Sequence, residues 1–256
     1  MSNLDKLNRI SGLPPEETIF LSKSSVMYYA AAFLGGICTS IATYLLIAII
    51  LFRWVAPPTT SFMLQRQFEA QQNNQSLEQQ YDWQNWEAIA PEIKMAAITS
   101  EDQRFAKHWG IDFNSIQKAI NEYERGEDLR GASTITQQVA KNLFLWPSQS
   151  YLRKGIEANI ALFIELLWSK KRILEVYLNI VEFGDGIYGV QAAAERYFNT
   201  TAADLSAWQS AMMVTALPAP KRYNLANPSQ YMLERRSWIL RYMHLLGTQQ
   251  YLDKLK

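Results

Sequence analysis

The sequence is short of the residues that bind metals and cross-link chains. Its 256 residues include one cysteine, Cys38, and two histidines, His108 and His244. A lone cysteine excludes an intramolecular disulfide and a cysteine-based zinc site. Histidines so far apart match no metal-ligand spacing. An excess of either charge is also missing: 25 Lys and Arg stand against 24 Asp and Glu, a net charge of +1. No bulk electrostatic case for nucleic acid therefore exists. No sustained alternation of apolar and polar residues suggests a large sheet, and no segment repeats. The length leaves room for one or two domains with a sizeable core.

Charge is missing most completely from Tyr28 to Phe52, with Lys23 and Arg53 on either side. That run is long enough to cross about 30 Å of hydrocarbon as a helix. It is too long, starts too late and lacks the small-residue site of a cleaved signal peptide, so it reads as an uncleaved anchor. Cys38 lies inside it and is inert on this reading. Lys6, Arg9 and Lys23 precede the run and Arg53 and Arg66 follow it. That slight excess favours an N-terminus on the inside. The organisation expected is a cytoplasmic tail over 1–27, a transmembrane helix over 28–52, a juxtamembrane linker or small lobe over 53–85, and a main domain over 86–256. Pro57-Pro58 stops the membrane helix. Gln65 to Gln80, rich in Gln and Asn, supports two readings equally: a flexible polar linker, or an amphipathic segment beside the membrane that uses Phe62, Met63 and Phe68.

The rest reads as helix after helix, an all-α class. In Asp112 to Arg125, Phe113, Ile116, Ile120 and Tyr123 share a face, with Asp112 as cap and Gly126 as stop. Thr134 to Leu145 opens on a capping box, Thr134 with Gln137. Ser150 to Trp168 carries Leu152, Ile156, Ile160, Phe163 and Leu167 as its apolar stripe. A further helix runs from Ser169 to Phe183. Ser206 to Leu217 opens on a second capping box, Ser206 with Gln209. Asn227-Pro228 reads as a cap followed by proline at the first helical position.

The chemistry is concentrated between Ile98 and Leu145. EDQRFAKHWG (Glu101 to Gly110) offers two adjacent carboxylates, Glu101 and Asp102, then an aromatic, Phe105, and an imidazole, His108. GASTITQQVAKNLFL (Gly131 to Leu145) offers hydroxyls, amides, Lys141 and Asn142 on a helix start. Polar groups taken from water need partners, so a site is the better account of this density. Glu101 can serve as a general base to a hydroxyl held within roughly 3 Å. As a helix cap, the Glu101–Asp102 pair would instead complement a positive N-terminus. Spacing alone supports both.

RKGIE (Arg153 to Glu157) places Arg153, Lys154 and Glu157 on one helical face. Taken alone this is a surface ion-pair pattern worth under about 1 kcal/mol. Arg153 and Glu157 border the expected apolar stripe, however, and with Lys141 they supply the cations a pyrophosphate needs. The helix start at Ser133-Thr134 adds backbone N–H groups for an anion.

These strings resemble, in order, the motifs of the peptidoglycan glycosyltransferases: E-D-x-x-F-x-x-H-x-G, G-x-S-T-[IL]-[TS]-Q-Q-x-x-K-N and R-K-x-x-E. KKRILEVYLN (Lys170 to Asn179) and GIYGVQAAAERYF (Gly186 to Phe198) resemble the fourth and fifth. The similarity covers about Pro91 to Leu246. No S-x-x-K or K-T-G motif follows Phe198, so the chain resembles the monofunctional form, without a transpeptidase domain. The departures are mild: Ile98-Thr99-Ser100 precedes Glu101, and Trp208-Gln209 stands where many members have Glu.

The resemblance implies a lysozyme-like, two-lobed helical domain beside the bilayer, held by the N-terminal transmembrane helix. It implies an inverting transfer that joins lipid-linked glycan to lipid II through a β-1,4 bond at the bacterial inner membrane, with the catalytic domain outside the cytoplasm. Glu101 matches the catalytic base and Glu157 the second catalytic Glu. Asp102, Phe105, His108, Thr134, Gln138, Lys141, Asn142, Arg153 and Lys154 match substrate-site positions. Phe183, Tyr188 and the run Ala192 to Ala194 read as packing. No organic cofactor is implied, and there is room for a divalent cation, magnesium or manganese, at the diphosphate. The partners implied are lipid II, the growing strand, the membrane, and other cell-wall synthesis or division proteins. Two readings compete: a peptidoglycan-cleaving enzyme of lysozyme type, and a catalytically inactive membrane scaffold.

Overall fold

A computed structural model describes residues 23–126, 133–148 and 150–255. Most of the expected tail over 1–27, and Gly131 at the head of the second motif, lie outside the described residues. The described part is helical with one small sheet. The helices are α1 (Lys23–Phe52), α2 (Ser61–Gln72), α3 (Pro91–Glu101), α4 (Phe113–Glu124), α5 (Ile135–Phe144), α6 (Tyr151–Leu167), α7 (Lys170–Ile180), α8 (Val190–Phe198), α9 (Ala207–Val214), α10 (Gln230–Leu246) and α11 (Thr248–Leu252). The strands are β1 (Gln80–Tyr81), β2 (Glu182–Gly184) and β3 (Ile187–Tyr188).

The chain divides into two units after Leu46. The described part of the first is α1 up to Leu46. The run Met27–Phe52 is long and apolar enough to cross a membrane, and most of its large side chains up to Leu46, Phe33 and Ile41 among them, are exposed.

The second unit, from Ile47 onward, is built around α7. Every residue from Ile173 to Ile180 is buried. α7 packs on α5, and α5 also packs on α6. α3 lies against α9, α10 and α11, and from Ile93 to Thr99 it is buried on all sides. These short apolar helices bury whole turns, and area removed from water is their main source of stability.

Of residues 65–80, for which two readings were open, 65–72 continue α2 and 73–79 are irregular chain leading to β1. Thr60 caps α2 through a bond from Met63 N. Ser61 Oγ and Gln65 Nε2 both donate to Leu145 O, at 2.8 and 3.0 Å. β1 then runs parallel to β3, which pairs antiparallel with β2. This pairing also ends α7 at Ile180, short of the Phe183 expected, because Glu182–Gly184 turns extended to meet Ile187 and Tyr188. The last long helix begins after Ser229, whose side chain takes the cap role expected of Asn227. α9 stops at Val214, three residues before the expected Leu217. Phe183, Tyr188, Ala192, Ala193 and Ala194 are all in the core.

One glycine is obligatory. Gly189 has φ +83, and a Cβ there would lie 2.5 Å from Asn179 O. Asn179 is fully buried and clips its neighbours: its side-chain oxygen accepts from Gln84 N at 2.7 Å, and its NH2 donates to Gln84 O at 2.9 Å.

The last turn of α1 belongs to this second unit. Of its end carbonyls, left over by the helical ladder, Ile50 O and Leu51 O accept from backbone N–H groups of residues 53–55, and two others are met by side chains. Trp168 Nε1 donates to Ile49 O at 2.7 Å. The Arg172 guanidinium donates to Phe52 O and Val55 O at 2.8 to 3.0 Å and pairs with Glu175. Phe52 stacks on Phe144.

Candidate active site

Glu101 is the final residue of α3, so the buried length of that helix fixes where its carboxylate stands. One carboxylate oxygen accepts from Gln138 Nε2 at 2.9 Å and the other from Ser100 Oγ at 3.0 Å. The orientation of the Gln138 amide is set from behind, because Tyr177 Oη lies 3.2 Å from Gln138 Oε1. Burial pushes the Tyr177 phenol well above its ordinary pKa, so it stays a donor and turns the amide NH2 toward Glu101. Each carboxylate oxygen keeps a lone pair for a further donor.

The first motif is not one continuous helix. α3 ends at Glu101, a single 3₁₀ turn covers Phe105–Lys107, and His108 is extended. Asp102 does cap a helix, but a distant one. Its Oδ2 accepts from Ile135 N in the first turn of α5 at 3.1 Å, and both its oxygens lie 2.9 Å from His108 Nε2. Asp102 therefore occupies one of the N–H groups that the sequence offered to an anion at this helix start. Thr134 completes the same cap with Gln137 and donates to Gly110 O. Asp102, His108 and Thr134 are buried, and Phe105 is fully so. Asp102 and Thr134 also line a cavity beside Glu101, whereas Phe105 and His108 line neither of the two cavities at this centre.

The cations gather on one side. Arg153 Nη1 donates to Glu157 Oε2 at 2.6 Å and Lys154 Nζ pairs with Glu157 Oε1. Lys154 also reaches Ser133 Oγ at 2.8 Å, which ties α6 to the start of α5. Burial pushes the Lys141 ammonium down, Glu157 draws it back up, and Arg153 and Lys154 repel it. Lys141, Arg153, Lys154 and Glu157 thus bear on one another across the break at Pro147. The buried face of α6 is not the expected stripe. Leu152 is 75% exposed and Phe163 50%, while Arg153, Glu157, Ile160, Ala161 and Ile164 face inward. The helix is rotated so that its ion pair points into the protein.

Two cavities flank this centre. One of about 200 Å³ lies beside Glu101 and Ser133, between α3 and α4. The other, about 390 Å³, opens beyond Gln138, Lys141 and Asn142. Its far walls are residues the motifs did not mark: Phe62 and Arg66 on α2, Glu182 on β2, and Lys221 and Arg222. The Thr60 cap before a run of Gln was the available signal for α2. The turn at 217–222 carried none.

Among the described residues, most of the oxygens that could hold a cation already have protein partners. Asp102, His108 and Asp112 bring ligand atoms within 4.8 Å of one another. Asp102 is already bound by His108 and Ile135 N, and Asp112 by Asn114 N, Ser115 and Arg104. Glu157 has both oxygens on cations.

A family model described as transglycosylase matches residues 68–244. Curated relatives named biosynthetic peptidoglycan transglycosylase are similar along most of the chain. One from Pseudomonas savastanoi pv. phaseolicola is 47% identical over 209 residues, 82% of this chain and 89% of the relative. One from Pseudomonas putida is 48% identical over 210 residues, 82% and 89% of the two chains. One from Stutzerimonas stutzeri is 47% identical over 208 residues, 81% and 86%. The family match takes in every motif from Glu101 to Phe198, and the chain belongs to the transglycosylase family.

Proposed function

We propose that this chain polymerises the glycan strands of peptidoglycan from lipid II. The observation that carries the reading is the placement of one oriented carboxylate, Glu101, beside an amide and a cluster of cations. Glu101 receives the proton of the GlcNAc 4-hydroxyl. The hydroxyl oxygen bonds to the anomeric carbon of the donor MurNAc from the face opposite the leaving group. The bond from that carbon to the diphosphate oxygen breaks, the lipid diphosphate departs with the electron pair, and the α linkage becomes β. Gln138 keeps the base aimed.

Lys141, Arg153 and Lys154 face the leaving diphosphate. Bonds that strengthen as its charge grows lower the barrier rather than merely bind. Glu157 balances these cations before substrate arrives, which a buried cationic cluster requires. The side chains supply this compensation themselves. α1 anchors the chain in the inner membrane, with the N-terminus inside and the catalytic unit outside. Glycan cleavage releases no diphosphate, so a cleaving enzyme leaves these cations unexplained. A scaffold leaves the Tyr177–Gln138–Glu101 relay unexplained.

The test is turnover of lipid II by the purified chain in detergent. Glu101→Gln keeps shape and loses the proton acceptor, so polymerisation falls by about 10²- to 10⁴-fold with an unchanged melting temperature. Near-normal turnover in that variant rejects the assignment.

A further inference from the structure

The larger cavity has a wall whose charge the reaction above does not use. Several cations near the site and the small sheet are paired: Arg66 with Asp185 at 2.7 Å, Lys170 with Glu165 at 2.6 Å, Arg172 with Glu175 at 2.7 Å, and Arg153 and Lys154 with Glu157. Lys221 and Arg222 line the cavity, are exposed, and form no salt bridge among the described residues. Their backbone is stiff. Pro218 and Pro220 fix their own φ, Ala219 N donates to Ala216 O at 3.1 Å, and Arg222 N and Tyr223 N both donate to Ala219 O at 2.9 Å. A turn so braced presents two cations with little backbone freedom left to lose on binding. Glu182, in the same wall, is close enough for Lys221 to bear on its charge.

On the proposed function, the floor of this cavity holds the diphosphate through Lys141. The sugar bonded directly to that diphosphate is MurNAc, which carries the peptide. The peptide must then leave the cavity over a rim, and its carboxylates are the anions available there. We infer that Lys221 and Arg222 read the carboxylates of the stem peptide, which makes this turn a determinant of specificity for acidic, peptide-bearing sugars. The inference rests on the proposed function for the placement of MurNAc.

The test pairs two substrates with one double variant, Lys221→Gln with Arg222→Gln, at exposed positions where folding is not at risk. With ordinary lipid II the variant has a KM raised about tenfold and an unchanged kcat, the scale of two exposed charge pairs. With lipid II whose stem carboxylates are amidated, wild type and variant coincide. The gap on ordinary lipid II also closes at high salt. Equal losses on both substrates move the pair to the diphosphate and overturn the inference, as does no loss on either. Equilibrium binding of the soluble disaccharide-peptide and its amidated form gives the same comparison without turnover. If wild type makes no polymer, the proposed function fails while this binding difference still decides the inference.

Discussion

Removing the negative charge at Glu157 should do more harm to the empty protein than to the loaded one. Glu157 is 2% exposed and its carboxylate lies between Arg153, 9% exposed at the side chain, and Lys154, 43% exposed. Breaking a buried pair from one side costs about 3–5 kcal/mol, because the partner charge is left without compensation. The lower end applies here, since Arg153 keeps its 2.6 Å bond to Ser148 O and Lys154 can turn to water. About 3 kcal/mol in a domain of this size corresponds to a fall in melting temperature of roughly 6–12 °C. Glu157→Gln, which is nearly isosteric, isolates charge from packing. Thermal melts of the full chain in detergent, with and without inorganic pyrophosphate, measure both halves of the argument. Pyrophosphate should raise the melting temperature of the variant more than that of wild type, because binding to the native state stabilises it by mass action and the carboxylate no longer competes for the cations. A fall of under about 2 °C, or equal pyrophosphate shifts in the two proteins, refutes the compensation.

Further outcomes follow from the same geometry. Arg153→Ala and Lys141→Ala should each reduce turnover by about a hundredfold, the usual loss for one electrostatic stabiliser; unchanged rates in both would detach them from the leaving group. Lys94, buried under Trp86, is pushed down to about 8 from 10.5. Between those values the unfolded chain binds more protons, so stability attributable to Lys94 rises with pH; melting curves for wild type and Lys94→Met should diverge in the wild type's favour above about pH 8, and parallel curves would deny it. Gly189→Ala should cost about 1–3 kcal/mol in unfolding experiments, from its positive φ and the clash with Asn179 O. Gly155→Ala, a helical position with nothing within 4 Å of the added Cβ, should gain roughly 0.5–1 kcal/mol.

What the sequence disclosed was mostly local. The caps at Thr134 and Ser206 need only a residue and its neighbour three positions on, and both form with both bonds present. The apolar run of α1 needs only length. The face of α6 was misjudged because its buried side carries Arg153 and Glu157, which any hydropathy pattern assigns to water. Their burial depends on each other and on Lys141 from another helix. Asp102 was readable as a cap but not as the cap of Ile135, a partner 33 residues away. β1 and β3 are two residues each, too short for alternation to show. The Gln-rich stretch of α2 lacked a strong apolar face, and its order comes from Leu145 O and Asp185 outside it.

The bonds from Trp168 and Arg172 to the end of α1 also say where this chain can be cut. A fragment starting at Arg53 would look complete by its motifs, yet it would remove Ile49 O and Phe52 O from two side chains of the central helical layer. The buried Trp168 N–H would lose its acceptor, and the Arg172 guanidinium would keep Val55 O, Glu175 and the face of Trp83 but lose Phe52 O. Soluble preparations should therefore begin no later than Ile47, and the last turn of the membrane helix is better counted as the first turn of the enzyme.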